Sequence, residues 1–274
     1  MALKLLNTDH LESIAKARRP DFEKAEPFQH VVIDDLLPAD LAERVRKEFE
    51  QAHDEWDHYT HYNERKLAIT TPELLGPTTR AVVEELQSDD FLHFLEMITG
   101  IEGLIADPHL DGAGMHLTRP GGHLNIHTDF LAHPIQTTWS RKINMIIYFN
   151  HDWVDEWNGN LEIWDSGMTR AVHSVLPSFN RCVLFKTSRH SLHGHPKPLA
   201  CPEGDSRKSL ALYYFRDEHA RRDLQPTAYF ARPEDSFTKK LLIVADTAVI
   251  GLYSILRRYA GVKDGLVSRL LRYF

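Results

Sequence analysis

The chain has 274 residues, enough for one large domain with helical flanks, and its composition is ordinary for a globular protein: 42% hydrophobic and 26% charged residues. A formal net charge of −7 gives no general footprint for nucleic acid, so none is expected as a partner. Cys182 and Cys201 are the only cysteines, and no basic start followed by an apolar core and small-residue cleavage site is found; free thiols and a cytoplasmic location are expected.

Residues 1–28 are polar, and the run up to Arg19 predicts a short helix stopped at Pro20. Phe28 to Asp35 reads as a strand, and Pro38 sits near the first turn of an amphipathic helix running to about Glu50. Residues 52–70 hold His53, His58 and His61 without clear periodicity and read as a loop or short strands able to line a pocket, with closure as a lid left open. Two helices are expected over 72–87 and 89–99, the second ending at Thr99-Gly100. From about residue 105 the pattern becomes short strands broken by Gly, Pro and Asn, at 113–118, 123–129, 142–149, 160–164, 170–175, 181–187 and 207–215. Such spacing predicts a sandwich or barrel-like pair of sheets with the helices against one face. Residues 216–236 read as charged and irregular.

From Phe237 onward seven Lys or Arg face two Asp, a local charge of +5 that leaves −12 on the rest. Leu241 to Leu256 is apolar but interrupted by Asp246, and it falls short of the about 20 residues of a membrane span. Docking of this basic amphipathic helix on the catalytic domain or on a second subunit is the favoured expectation, with peripheral membrane contact as the alternative.

The chemistry concentrates in Gly121 to Phe130. If this segment is extended, His123, Asn125, His127 and Asp129 alternate with Leu124, Ile126 and Thr128, so an imidazole and a carboxylate aim at one point. A His-x-Asp pair is two thirds of the 2-His-1-carboxylate triad that holds non-haem iron. The third ligand should be a histidine on or after a later strand; His190, His193 and His195 compete, and spacing does not choose among them. Arg207, Ser209, Ala211 and Tyr213 share one strand face, where an arginine and a hydroxyl can clamp a carboxylate. Asn144, Ile146 and Tyr148 share another, so the Tyr148 phenol can assist.

Taken in order, the blocks 119–129, 143–153, 158–164, 177–185, 192–196 and 207–215 resemble the Fe(II)- and 2-oxoglutarate-dependent oxygenases, specifically the prolyl-4-hydroxylase-like branch. The resemblance implies a mainly β fold: a double-stranded β-helix (jelly-roll, cupin-like) core at about 105–216, an N-terminal strand and helices at 28–100 packed on it, and a helical tail at 237–274 after an oxygenase domain of 1–236. It implies His127, Asp129 and His193 as iron ligands, with His195 as the alternative to the last. Arg207 and Tyr148 would hold 2-oxoglutarate, joined by Ser209 and Asn144. The cofactors implied are Fe(II), 2-oxoglutarate and O2, with ascorbate in a supportive role. The reaction implied is hydroxylation of an aliphatic C–H of a prolyl or peptidyl residue, an amino acid or a small metabolite, with succinate and CO2 as co-products. Arg141, Trp164, His116 and Asn125 are the candidate substrate contacts. Three departures from the family pattern stand out: extra residues at 200–205, Leu117 where a tyrosine near the cosubstrate is common, and Asn158-Gly159-Asn160 for a double glycine. A cupin-like metal enzyme or metal-binding protein that does not use 2-oxoglutarate is the competing reading.

Overall fold

The structure is a computed structural model that describes residues 4–52 and 55–260, the last five by backbone alone. His53 and the tail charges Lys263, Asp264, Arg269 and Arg272 therefore lie outside the described residues.

Four helices precede the core. Helix α1 (Thr8–Lys24) runs through Pro20 instead of stopping there. Leu11, Ala15 and Phe22 are all buried, and α1 packs on α4, so burial on both sides of Pro20 outweighs the one lost helical N–H. Strand β1 (His30–Ile33) and α2 (Ala39–Gln51) lie where the periodicity puts them. The expected helix over 72–87 starts later, as α3 (Pro77–Leu86), because a residue preceding proline is pushed to extended geometry and Gly76 has ψ 156°. Helix α4 (Asp89–Thr99) is capped by the Ser88 hydroxyl, which accepts from Phe91 N–H, and ends on Gly100 at φ 70°.

The sheet is antiparallel throughout its named pairs. It contains β2 (Asp57–His61), β3 (Glu64–Ile69), β4 (Ile105–Ala106), β5 (Gly114–Thr118), β6 (His123–Thr128) and β7 (Trp139–Tyr148). Then follow β8 (Leu161–Trp164), β9 (Ala171–Val175), β10 (Cys182–Lys186), β11 (His193–His195), β12 (Arg207–Asp217) and β13 (Ala228–Tyr229). The order is β1-β10-β7-β12-β5-β3-β6-β11-β8-β9, with β2 beside β3, β4 beside β12 and β13 beside β6. Strands far apart in this order meet through their side chains, so the sheet curls into the expected double-stranded β-helix, and β2 and β3 form part of its wall.

Alternation along β12 sorts the two faces. Leu210, Leu212 and Tyr214 enter the main core with Phe91 and Leu95 of the helical layer, whereas Arg207, Ser209, Ala211 and Tyr213 face the interior of the curl. Strand β13 lies in the stretch read as irregular; two residues are too few for a periodic signal.

The final helix, α5 (Phe237–Ala260), docks on the turn between β2 and β3. Asp246 accepts from the Asn63 side-chain amide at 2.6 Å and lies 2.7 Å from His61 Nδ1, and Ile243 is buried. Its outer face leaves Leu241, Val244 and Leu252 exposed. Among the described residues no helix is long and apolar enough to cross a membrane.

Candidate metal centre and cosubstrate pocket

The strict alternation expected of residues 123–129 is broken by a bulge. His193 pairs with His127 but His195 pairs with Leu124, so β6 carries one more residue than β11 between the two pairs. Leu124 and His127 consequently both face the interior, while Ile126 points outward to pack with Trp164 and Leu192. Gly194 makes this register possible: a Cβ there would stand 2.8 Å from the carbonyl oxygens of Leu124 and Asn125.

His127, Asp129 and His193 are buried, and ligand atoms from the three lie within 4.8 Å of one another. His190 is exposed, and His195 lies farther along the same pocket wall, so the geometry selects His193 from the three candidates. The imidazoles of His127 and His193 are oriented in the same way. His127 Nδ1 donates to the Asn125 carbonyl at 3.0 Å, and His193 Nδ1 donates to the Ser191 carbonyl at 2.9 Å. A carbonyl only accepts, so in both rings Nδ1 carries a proton and Nε2 is the atom turned toward the centre. Those Nε2 atoms stand 3.6 Å from Oδ1 and Oδ2 of Asp129 respectively. Burial and the neighbouring His127 push the His193 pKa down to about 4, so it is a neutral ring at physiological pH.

The Asp129 carboxylate is held ionised. Burial opposes its charge, but Arg141 at 3.4 Å and the two histidines outweigh it and drive its pKa down. Asn144 donates to Asp129 Oδ2 at 2.8 Å and accepts from Arg141 through its own oxygen. Both its polar ends are thereby engaged within the protein, so Asn144, which also lines the pocket, orients the carboxylate.

The pocket of about 200 Å³ beside this centre has Arg207 in its wall. Arg207 is buried; its Nε donates to the Gly159 carbonyl at 2.7 Å and its Nη2 to the Tyr148 hydroxyl at 3.2 Å. Ser209 lies opposite both Tyr148 and His116 in register, and Ser209 and His116 line the pocket. The face-sharing expected on β7 and β12 is therefore observed. Three polar atoms in the pocket lining are buried without a hydrogen-bond partner: His116 Nε2, His195 Nδ1 and Arg141 Nε. Orphaned buried polar groups mark a place where a polar ligand completes the network. Burial lowers the pKa of His116 and His195 well below the ordinary value, so both offer neutral rings.

Of the four substrate candidates, Arg141 and His116 line the pocket, with His116 at the Arg207 end. The other two do not line it. Trp164 is three residues beyond the pocket-lining Leu161, so strand parity sends it outward, where its indole N–H donates to Glu162 at 2.8 Å. Asn125 sits in the bulge, where its amide donates to Asn63 Oδ1 at 3.0 Å. Leu117 also faces away from this pocket, into the main core, so it does not form part of the pocket wall. Sequence reasoning did not single out Glu64, Lys66 and Tyr229, which also line the pocket. Their signal was hidden because β2, β3 and β13 show no usable periodicity.

Residues 113–215 match the family model described as the 2OG-Fe(II) oxygenase superfamily. Prolyl 3-hydroxylase OGFOD1 of Mus musculus is 25% identical over 215 residues, covering 76% of this chain; the chain spans about a third, 36%, of that relative's length. A Pseudomonas putida prolyl-4-hydroxylase structure aligns with TM-score 0.54 and 17% identity, over 76% of this chain and 100% of the other. The structure of a Trichoplax adhaerens prolyl hydroxylase with a hypoxia inducible factor peptide fragment aligns with TM-score 0.53 and 16% identity, over 77% and 92%. Both structural likenesses concern the fold.

Proposed function

Starting from a chain that carries a 2OG-Fe(II) oxygenase domain at residues 113–215 and has a prolyl-hydroxylase-like fold, we propose that it is a 2-oxoglutarate-dependent hydroxylase acting on an aliphatic C–H. The observation that carries the reading is the joint burial of His127, Asp129 and His193 with Arg207 in one pocket wall. Two imidazoles whose Nδ1 atoms are engaged by carbonyls, leaving Nε2 toward the centre, and one ionised carboxylate are the donor set that would fit Fe(II). A buried guanidinium paired with a phenol fits the distal carboxylate of 2-oxoglutarate, whose own charge would compensate Arg207.

Bound together, Fe(II) and 2-oxoglutarate supply O2 activation coupled to decarboxylation, giving succinate and CO2. The chain's own residues do the rest. Asn125 and Ser191 carbonyls fix the imidazole tautomers, Asn144 and Arg141 fix the carboxylate, and Tyr148 fixes Arg207. Burial keeps bulk water from the reacting centre. A prolyl residue in a peptide is the substrate class supported by the named relatives, and an amino acid or small metabolite would use the same machinery.

The test is anaerobic titration of metal-free protein with Fe(II) and 2-oxoglutarate, read by the weak visible absorption of the chelate. Wild type should give the band, His127→Ala should abolish it, and Arg207→Ala should weaken it at equal cosubstrate. A folded wild type without the band overturns the reading in favour of a metal protein that does not use 2-oxoglutarate.

A further inference from the structure

Helix α5 has two faces, and the domain uses only one of them. Ile243 is buried and Asp246 meets His61 and Asn63 on the inner side. Around the opposite side run Phe237, Leu241, Val244, Val249, Leu252 and Ile255, each between 47% and 83% exposed. At 3.6 residues per turn these six fall within an arc of about 140°. Ala245 and Ala248 lie in the same arc, and Thr238 is the one polar residue in it among the described side chains. The result is an apolar stripe about 28 Å long that no described residue covers. Single exposed apolar side chains are ordinary, but a contiguous row of this length marks a contact surface.

The charge of the segment indicates what the contact is with. From Phe237 onward the sequence carries +5, against −12 for the rest of the chain. The acids beside the helix are already engaged: Asp246 lies 2.7 Å from His61, and Glu234 and Asp235 pair with Arg232. Lys239 is taken by Asp235 at 2.8 Å and so adds no free charge. Lys240 donates to the Pro233 carbonyl and meets no carboxylate among the described residues. Arg257 and Arg258 follow about five turns further along. Beyond the described residues the sequence adds Lys263, Arg269 and Arg272 against Asp264.

An apolar stripe with basic residues beside it, on a helix not long and apolar enough to cross a membrane, fits the interface of an anionic bilayer. A second copy of the chain fits less well. Two copies meeting here would bring two basic segments together, and the stripe is wider than the seam along which helices pair. We propose that the outer face of α5 binds the chain to an anionic lipid surface, the apolar stripe among the acyl chains and the basic residues on the headgroups. The acidic body stands off from that surface, where exposed charges more than about 8 Å away are screened at physiological salt.

The experiment is cosedimentation of the full chain with vesicles of phosphatidylcholine alone and of an equal mixture with phosphatidylserine. Wild type should bind the anionic vesicles at least about tenfold more tightly than the neutral ones. The double variant Leu241→Glu, Leu252→Glu should lose about tenfold or more of that binding while keeping the wild-type melting curve. The charge-matched control Val154→Glu, Val172→Glu, at exposed apolar positions outside α5, should bind as wild type does. Wild type that ignores anionic vesicles, equal binding to both vesicle types, or unchanged binding in the folded α5 variant overturns the proposal. Sedimentation equilibrium without lipid covers the other occupant: a dimer that the α5 variant abolishes, with no vesicle binding, assigns the face to a second copy and likewise overturns it.

Discussion

The Asn144 amide donates to Asp129 Oδ2 at 2.8 Å, although three strands stand between β7 and β6 in the sheet order. The contact exists because the sheet curls until residues on distant strands face each other. Removing the donor leaves the carboxylate free to rotate away from the two imidazoles. Asn144→Leu should therefore lower Mn(II) affinity by about 10–100-fold, as loss of an orienting partner commonly does. Calorimetric titration of Mn(II) into the folded variant measures it, and unchanged affinity would show that Arg141 alone positions Asp129.

Gly194 carries the register of β11 against the bulged β6. An added methyl would meet the Leu124 and Asn125 carbonyls at 2.8 Å, closer than a Cβ normally approaches, so the strands must part. Gly194→Ala should cost about 1–3 kcal/mol of stability and also weaken metal binding, since His193 moves with the strand. Thermal melts with and without Mn(II) separate the two effects: the metal-induced rise in Tm should shrink in the variant.

Arg207 is the cation proposed for the distal carboxylate of 2-oxoglutarate. Arg207→Met removes the charge and keeps a similar apolar bulk. It should weaken cosubstrate binding by about tenfold to a hundredfold, from a charge-assisted bond of about 1.5–3 kcal/mol, while metal affinity stays near wild type. Equilibrium binding of 2-oxoglutarate to the Mn(II) form distinguishes this from a collapse of the whole site, which would lower both.

His61 makes the docking of α5 depend on pH. Burial disfavours its charge, but Glu64 at 3.2 Å and Asp246 at 2.7 Å favour it more, and its pKa is raised above 6.5. Tyr229 faces the same ring, and Lys66 lies beyond Glu64 at 3.3 Å. A raised folded pKa means that the contribution is complete below the unfolded value and is lost as pH rises through the folded one. Hydrogen exchange in α5, compared at pH 6 and pH 8.5 after correction for intrinsic rates, should show weaker protection at the higher pH. In His61→Gln that difference should largely vanish.

The local pattern alone determined much of this protein. Apolar periodicity located α2 and α4, the positions of most core strands followed from their Gly, Pro and Asn boundaries, and His127, Asp129 and Arg207 stood out by residue type and phase. These are properties of a few neighbouring residues, which is why a sequence displays them. The helix running through Pro20, the outward turn of Trp164 and the role of Asn144 were decided elsewhere, by packing partners brought in from distant parts of the chain. The clustering of His193, rather than His195, with His127 and Asp129 is of the same kind. It follows from the pairing of His193 with His127 across β11 and β6, and strand register is a relation between two strands that neither strand displays by itself.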